Sequence, residues 1–387
     1  MSLVALIDIG STSVGGALLR PHKDKRLKSR HQVAYTTRRQ INFQKELTPG
    51  TFFGQVESSL KEVLTDFQST LKSQDNKLKG SPKKVHIFLS APFYAAQTRA
   101  IQYKLEKPTE ITSKLIDGLI DEKLQRFKSE QAGQHELIEN KLLSIKLNGY
   151  YIADPYGQVA SELEVASYFS LGATDVLDKI RATMTAAFHH ENIELHTAAL
   201  VYYRVWREVL PQRDSYLLLD IGGEVTELSV TTHDISLETA SFPVGGHYVI
   251  REVAKALGAS LAEAAAAIKR QVKGEHYPSA ANQLAEVLEK VKVEWLKAFR
   301  QSAVEARQSF FLPQRAWLIG DPDLTPLFGS WLDGLTLNGQ LVTKRQLAID
   351  YWQADWFSPW APHDTQARQD LSLMAETIYY DRIVAHR

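Results

Sequence analysis

The chain has 387 residues, enough for two or more domains with ample core. Lys+Arg and Asp+Glu both number 45, a balance that gives no electrostatic footprint for nucleic acid, and the lack of cysteine excludes disulfides and thiolate metal sites and fits a reducing cytoplasm. No apolar run approaches the roughly 18 residues of a membrane span, and Met1-Ser2-Leu3 passes into the first strand with no room for a signal peptide, so the expectation is a soluble, cytoplasmic, multidomain α/β protein.

Val4 to Leu19 runs as an apolar strand into Asp8-Ile9-Gly10, a turn of small hydroxyl residues (Ser11, Thr12, Ser13) and a second strand. Glycine lets backbone N–H groups approach a phosphate, and an Asp at a strand end can hold a hydrated Mg2+ beside it. Lys23 to Arg30 reads as a solvated basic turn. Apolar residues at Phe52, Phe53, Val56, Leu60, Val63, Leu64, Phe67 and Leu71 predict a packing helix, and Ser73 to Lys84, with Gly80 and Pro82, a boundary loop. A strand at Val85 to Ser90, alternation around Ala100 to Leu105, a helix capped by Thr112, and strands at Glu139 to Leu147, Tyr150 to Ile152 and Ser161 to Leu171 predict a small α+β unit. Asp154-Pro155-Tyr156-Gly157 is its turn.

Helices at Asp175 to Glu191 and Thr197 to Val209 flank a short strand at Ile193. His189 and His190 read as helix surface, because adjacent residues point to different faces. A second glycine hairpin follows, Leu217 to Val230, with Asp220-Ile221-Gly222-Gly223-Glu224 at its turn. Phe242-Pro243-Val244-Gly245-Gly246-His247 then opens a helix from Tyr248, placing backbone donors at an anion-favouring N-terminus. Helices at Ala262 to Lys269 and Gln283 to Gln308 precede a buried strand, Ala316 to Gly320, and a turn, Asp321 to Leu324. Tyr351 to Trp360 gathers three tryptophans and reads as cover for a sheet edge, with a peptide or membrane contact as the alternative. Leu371 to Ile383 closes the chain as a helix.

Two glycine hairpins, a Pro-Val-Gly-Gly turn and a strand ending in Gly320, in that order, resemble the actin-like ATPase superfamily. Within it, Asp8 to Thr12, Asp220 to Gly223, Phe242 to His247 and Ser260-Leu261-Ala262-Glu263-Ala264 look like the bacterial cell-division protein FtsA and, more distantly, the pilus assembly protein PilM. The words Leu89-Ser90, Glu110-Ile111-Thr112, Asp154 to Gly157 and Leu163-Glu164 stand where FtsA has its SHS2-type subdomain. The fold implied is α/β, with two similar halves around a cleft and that subdomain inserted. The boundaries are 1–83 and 167–213 for the first lobe, 84–166 for the insert, 214–248 and 313–387 for the second lobe, and 249–312 for its small helical subdomain.

The resemblance implies ATP and Mg2+ as cofactors. Asp8, Gly10, Ser11, Thr12, Asp220, Gly222, Gly223, Gly245, Gly246, Lys269 and Gly320 would line the nucleotide, with Asp8 and Asp220 reaching Mg2+ through water. Several positions depart from the family. Glu224 replaces a glycine where a carboxylate would repel triphosphate unless it rotates away or meets Mg2+. Glu227 replaces Asp, Ser13 a lysine, Ala266 a glutamate of the adenosine helix, and Gly320-Asp321-Pro322-Asp323 a three-glycine turn. They imply at most a weak ATPase, or one that has lost its nucleotide.

An FtsA-like adaptor would self-associate through the insert and hold an FtsZ-like filament protein near Val249 to Leu312, meeting the membrane only peripherally, through partners. A PilM-like platform would instead recruit a short peptide from a pilus membrane protein. The FtsA reading is preferred on Pro243 to Gly246, and a small-molecule kinase or phosphatase, with Glu224 as its carboxylate, ranks last.

Overall fold

All six residues of β1 (Val4–Ile9) are buried, as a near-continuous apolar run requires when a strand is covered on both faces. In the computed structural model, which describes residues 3–22, 28–42, 48–73, 78, 80–131, 133–188, 192–210, 215–232, 236–275, 281–307, 312–336, 346–365 and 367–385, β1 turns into antiparallel β2 (Ser13–Pro21) and β3 (His31–Gln40). Helix α1 (Pro49–Lys72), closed at its start by a Thr48–Thr51 capping box, lies on β2 and leads to β4 (Lys84–Leu89), parallel to β1. Its apolar stripe, Val56 to Phe67, is buried in the core of the first lobe.

The chain then leaves for a four-stranded antiparallel sheet of β5 (Ala95–Glu110), β6 (His135–Leu147), β7 (Tyr150–Tyr151) and β8 (Val159–Ala173), ordered β5-β8-β6-β7, with α2 (Ser113–Glu130) packed on it. Thr112 caps α2 through the Leu115 N–H, as its sequence position predicts. Helix α3 (Thr174–Phe188) returns to β9 (Ile193–Thr197), parallel to β4, completing the order β3-β2-β1-β4-β9. The boundary at residue 84 is thereby corrected: Lys84–Leu89 is a strand of the first sheet, and the insert begins after it. His189 and His190, residues 23–27 of the basic turn and the outer residues of several other loops lie outside the described residues.

Beyond α4 (Ala198–Val209), the same topology repeats. Strands β10 (Tyr216–Ile221), β11 (Thr226–Thr232) and β12 (Ser236–Phe242) run antiparallel; helices α5 (Gly246–Leu257), α6 (Leu261–Val272) and α7 (Ala281–Arg307) follow; β13 (Arg315–Gly320) pairs parallel with β10. Helix α8 (Thr325–Leu332) leads to the edge strand β14 (Ala348–Tyr351), giving the order β12-β11-β10-β13-β14. Pro326, next to the expected turn, sits in the first turn of α8, where its missing N–H is harmless. Helices α5 to α7 share one hydrophobic core with this sheet rather than forming their own.

The two lobes meet over α4 and the C-terminal α10 (Leu371–Tyr379), which follows the short α9 (Ala354–Phe357) and continues as a π-helical turn, Tyr380–Val384. Val201, Tyr202, Val205 and Trp206 of α4 share a core with Leu6 of the first sheet, Leu218 and Trp317 of the second, and Met374 and Ile378 of α10. The last helix, assigned from sequence to the second lobe, thus packs on β1 and β2 of the first. The aromatic segment belongs to the same core: Trp352 is 4% exposed and stacks 5.7 Å from Trp206, and Trp356 meets Trp317 edge-on at 5.3 Å.

Candidate functional site

The C-terminal ends of β1 and β10 face each other across a cleft of about 510 Å³. Asp8, Gly10, Ser11, Thr12, Asp220, Gly222 and Gly320 line it; Gly223, Gly245, Gly246 and Lys269 do not. Lys269 instead pairs at 2.5 Å with Asp323, on the turn beyond β13 that borders the cleft.

Asp8 has an unforeseen partner. Arg38 on β3 donates to the Asp8 carboxylate at 2.7 Å, to both oxygens of Asp370 at 2.6 and 2.9 Å, and to Ser13 Oγ at 2.8 Å. Strand register explains the reach: Asp8 stands opposite Gly15, and Gly15 opposite Arg38. A Cβ on residue 15 would lie 2.6 Å from the guanidinium, so glycine opens its path. Asp370 also caps α10 through the Leu373 N–H, so one arginine ties the first hairpin to the C-terminal helix.

The neighbouring carboxyls respond to burial. Burial raises Asp8 above the ordinary carboxylate range although Arg38 pulls it down, whereas for Asp370 the arginine outweighs burial and the carboxyl is lowered. Glu376 of α10, 2% exposed, is raised well above its ordinary value by burial and by the charge of Asp8. Burial and Asp8 push Asp220 up to about 7. Burial pushes Glu227 to about 8, against the pull of the Tyr94 hydroxyl, which donates to it at 2.7 Å. Burial thus raises Asp8, Asp220, Glu227 and Glu376, while Asp370 is lowered by Arg38, their shared counter-charge.

The second turn has its own cation. Glu224 faces out of the cleft and takes two hydrogen bonds from Arg251 of α5, at 2.8 and 2.7 Å, with His247 Nδ1 at 3.3 Å. Burial would raise its carboxyl, but Arg251 and His247 hold it down at about 2. Of the two outcomes foreseen for this glutamate, rotation away is the one that occurs, and it leaves Glu224 unable to serve as a catalytic base in the cleft. Gly245 and Gly246 act on the same turn: the Gly246 and His247 N–H groups bind the Gly222 and Gly223 carbonyls at 2.9 and 2.8 Å. These donors, expected to meet an anion, close the hairpin onto α5 instead. A Cβ at Gly245 would stand 2.4 Å from the Gly222 oxygen.

The hairpins also touch each other. Ser11, 1% exposed, accepts the Glu224 N–H on its Oγ at 3.3 Å, and Gly222 and Gly223 leave no room for a Cβ against it. A magnesium triphosphate needs an ionised metal face and cations for its phosphates. Here Asp8 is bonded to a guanidinium, and Ser11 bridges the two turns. The cleft thus has Gly10, Ser11, Thr12, Gly222 and Gly320 along it, but the Asp8 carboxylate that the resemblance would set toward Mg2+ is bonded to Arg38.

No protein-family profile matches the chain, and no curated protein matches its sequence. Among solved structures, the PilM–PilN type IV pilus biogenesis complex is similar over 97% of this chain and 95% of that one, at 15% identity and a TM-score of 0.59. A protein of unknown function with an actin-like ATPase fold from Bacteroides thetaiotaomicron covers the same shares at 11% identity and a TM-score of 0.43. The MamK double helical filament covers 100% and 99% at 9% identity and 0.45. The fold is therefore the α/β actin-like ATPase fold, with two RNase H-like mixed sheets and an antiparallel insert sheet.

Proposed function

We propose that this protein is a PilM-like assembly platform, which uses an actin-like body to hold a short segment of a membrane partner and has given up phosphoryl transfer. The single observation that carries this is the Arg38 clamp: the carboxylate that would organise a metal is bonded to an arginine that also holds Asp370. An enzyme of this fold would need that carboxylate free to organise a metal. Overlap with the pilus complex along nearly the whole chain supports the platform reading over the FtsA-like adaptor preferred from sequence. Among the described residues no helix is long and apolar enough to cross a membrane.

The test is calorimetry with synthetic peptides from the cytoplasmic tails of membrane proteins encoded beside this gene, run in parallel with co-sedimentation on tubulin-like filaments. Saturable binding of a pilus-type tail supports the proposal. Binding to filaments with no peptide binding sinks it and restores the cell-division adaptor. A companion titration with Mg-ATP should give a Kd of ~1 mM or weaker and no phosphate release; micromolar affinity with turnover would show that Arg38 yields to nucleotide.

A further inference from the structure

Outside the cleft, two buried histidines meet at the edge of the first sheet. His86 on β4 and His196 on the edge strand β9 are 1% and 6% exposed, and His86 Nδ1 lies 3.1 Å from His196 Nε2. Parallel register sets Glu194 beside His86, with Glu194 and His196 two residues apart on one face of β9. The Glu194 carboxylate is 3.9 Å from His86 Nδ1, and the three ligand atoms lie within 4.8 Å of one another. We propose that His86, His196 and Glu194 form a site for a divalent transition metal of the zinc class, with a fourth position open on the solvent side.

Three observations support this. A tetrahedral zinc holds two imidazole nitrogens roughly 3.3 Å apart, given Zn–N bonds of about 2.0 to 2.1 Å, close to the separation present. Glu194 is half exposed and has only to shift its rotamer to join them. Secondly, a carboxylate backs the outer nitrogen of a ligand: Glu139 of β6 lies 3.6 Å from His196 Nδ1 and is itself fixed by the Thr197 N–H and hydroxyl at 3.1 and 2.5 Å. Carboxylates in that position orient metal-bound histidines. Thirdly, the direct imidazole contact leaves the outer nitrogens, His86 Nε2 and His196 Nδ1, without hydrogen-bond partners. Two neutral rings share two protons among four nitrogens, so one outer nitrogen is left bare. A metal takes both facing lone pairs, puts both protons on the outer nitrogens, and turns the His196 proton toward Glu139.

Such a metal would fasten the edge strand β9 to β4 where the insert, through Glu139, and the last helix, through Tyr379 and Tyr380, converge. The experiment uses tag-free, chelator-treated full-length protein titrated with Co2+ and then Zn2+. One equivalent of Co2+ should produce the visible absorption of a low-coordinate nitrogen and oxygen site, and Zn2+ should displace it. Glu194→Ala, at a half-exposed position that leaves the core intact, should weaken binding at least tenfold; His196→Gln should abolish it; Glu139→Gln should weaken it about 10- to 100-fold. A His189→Gln/His190→Gln variant should bind as the wild type does. Absence of saturable binding by folded wild-type protein, or wild-type affinity in Glu194→Ala, overturns the proposal. Should His196→Gln fail to fold, the Glu194→Ala titration still decides.

Discussion

The two glycine hairpins are near-copies in sequence, Asp8-Ile9-Gly10-Ser11 and Asp220-Ile221-Gly222-Gly223, and in register, with each aspartate one residue before the strand end. Their counter-charges differ. In the first, the aspartate itself is bonded to Arg38, and the cation sits inside the cleft. In the second, the cation is Arg251, outside the cleft, bonded to the turn's glutamate, and burial and Asp8 push Asp220 up to about 7. One motif on one fold thus gives two electrostatic outcomes, because what decides the state of an aspartate is the charge that neighbouring strands and helices bring to it.

Removing the cation from the first hairpin should have the largest effect. Arg38→Leu leaves Asp8 and Asp370 buried without a counter-charge and should cost about 3 to 5 kcal/mol, the usual range for breaking a buried pair, read as a lower urea midpoint. Adding Asp370→Asn to that variant should recover part of the loss; simple additivity would show that the two do not act as one network. Removing the acid from the second hairpin should cost less, since it unpairs one arginine rather than two carboxylates: Glu224→Gln should lose about 2 kcal/mol and leave Mg-ATP affinity unchanged. A gain of affinity in that variant would mean that Glu224 does repel nucleotide. The bond between the hairpins is smaller again, with Ser11→Ala expected to cost about 1 kcal/mol in thermal melts.

The last effect is a slope. Asp220 and Glu227 have folded values near 7 and 8 against ordinary values of 3.8 and 4.5. Between about pH 4 and pH 8 the native state therefore holds protons that the unfolded chain has released, so stability falls as pH rises through that window. Glu227→Gln should flatten the upper part of the curve, while wild-type curvature in that variant would assign the slope elsewhere. Glu224 acts oppositely: its contribution is present above about 4.5 and is lost as pH falls toward 2.

Much of the fold was legible because it rests on local signals. Apolar runs ending in Asp-Ile-Gly marked β1 and β10, helical spacing marked α1 and α7, and Thr112 marked the start of α2, since strand period, helix period and capping are properties of a few neighbouring residues. The order of the glycine turns identified the superfamily fold even though no single turn did. The site was legible only in part. The sequence placed Asp8, Asp220 and the turns on one cleft but could not show that Arg38 lies beside Asp8, because those residues are 30 apart and meet across the three-strand register Asp8, Gly15, Arg38. Once the register of β3 was known, that arginine could have been read from its position opposite a glycine. The sequence by itself determined the elements, the repeated topology and the residues at the strand ends. Tertiary structure alone decided the charge each carboxylate sees, where Glu224 points, and that His86 and His196 meet, because burial and ion pairing depend on groups brought together from distant parts of the chain.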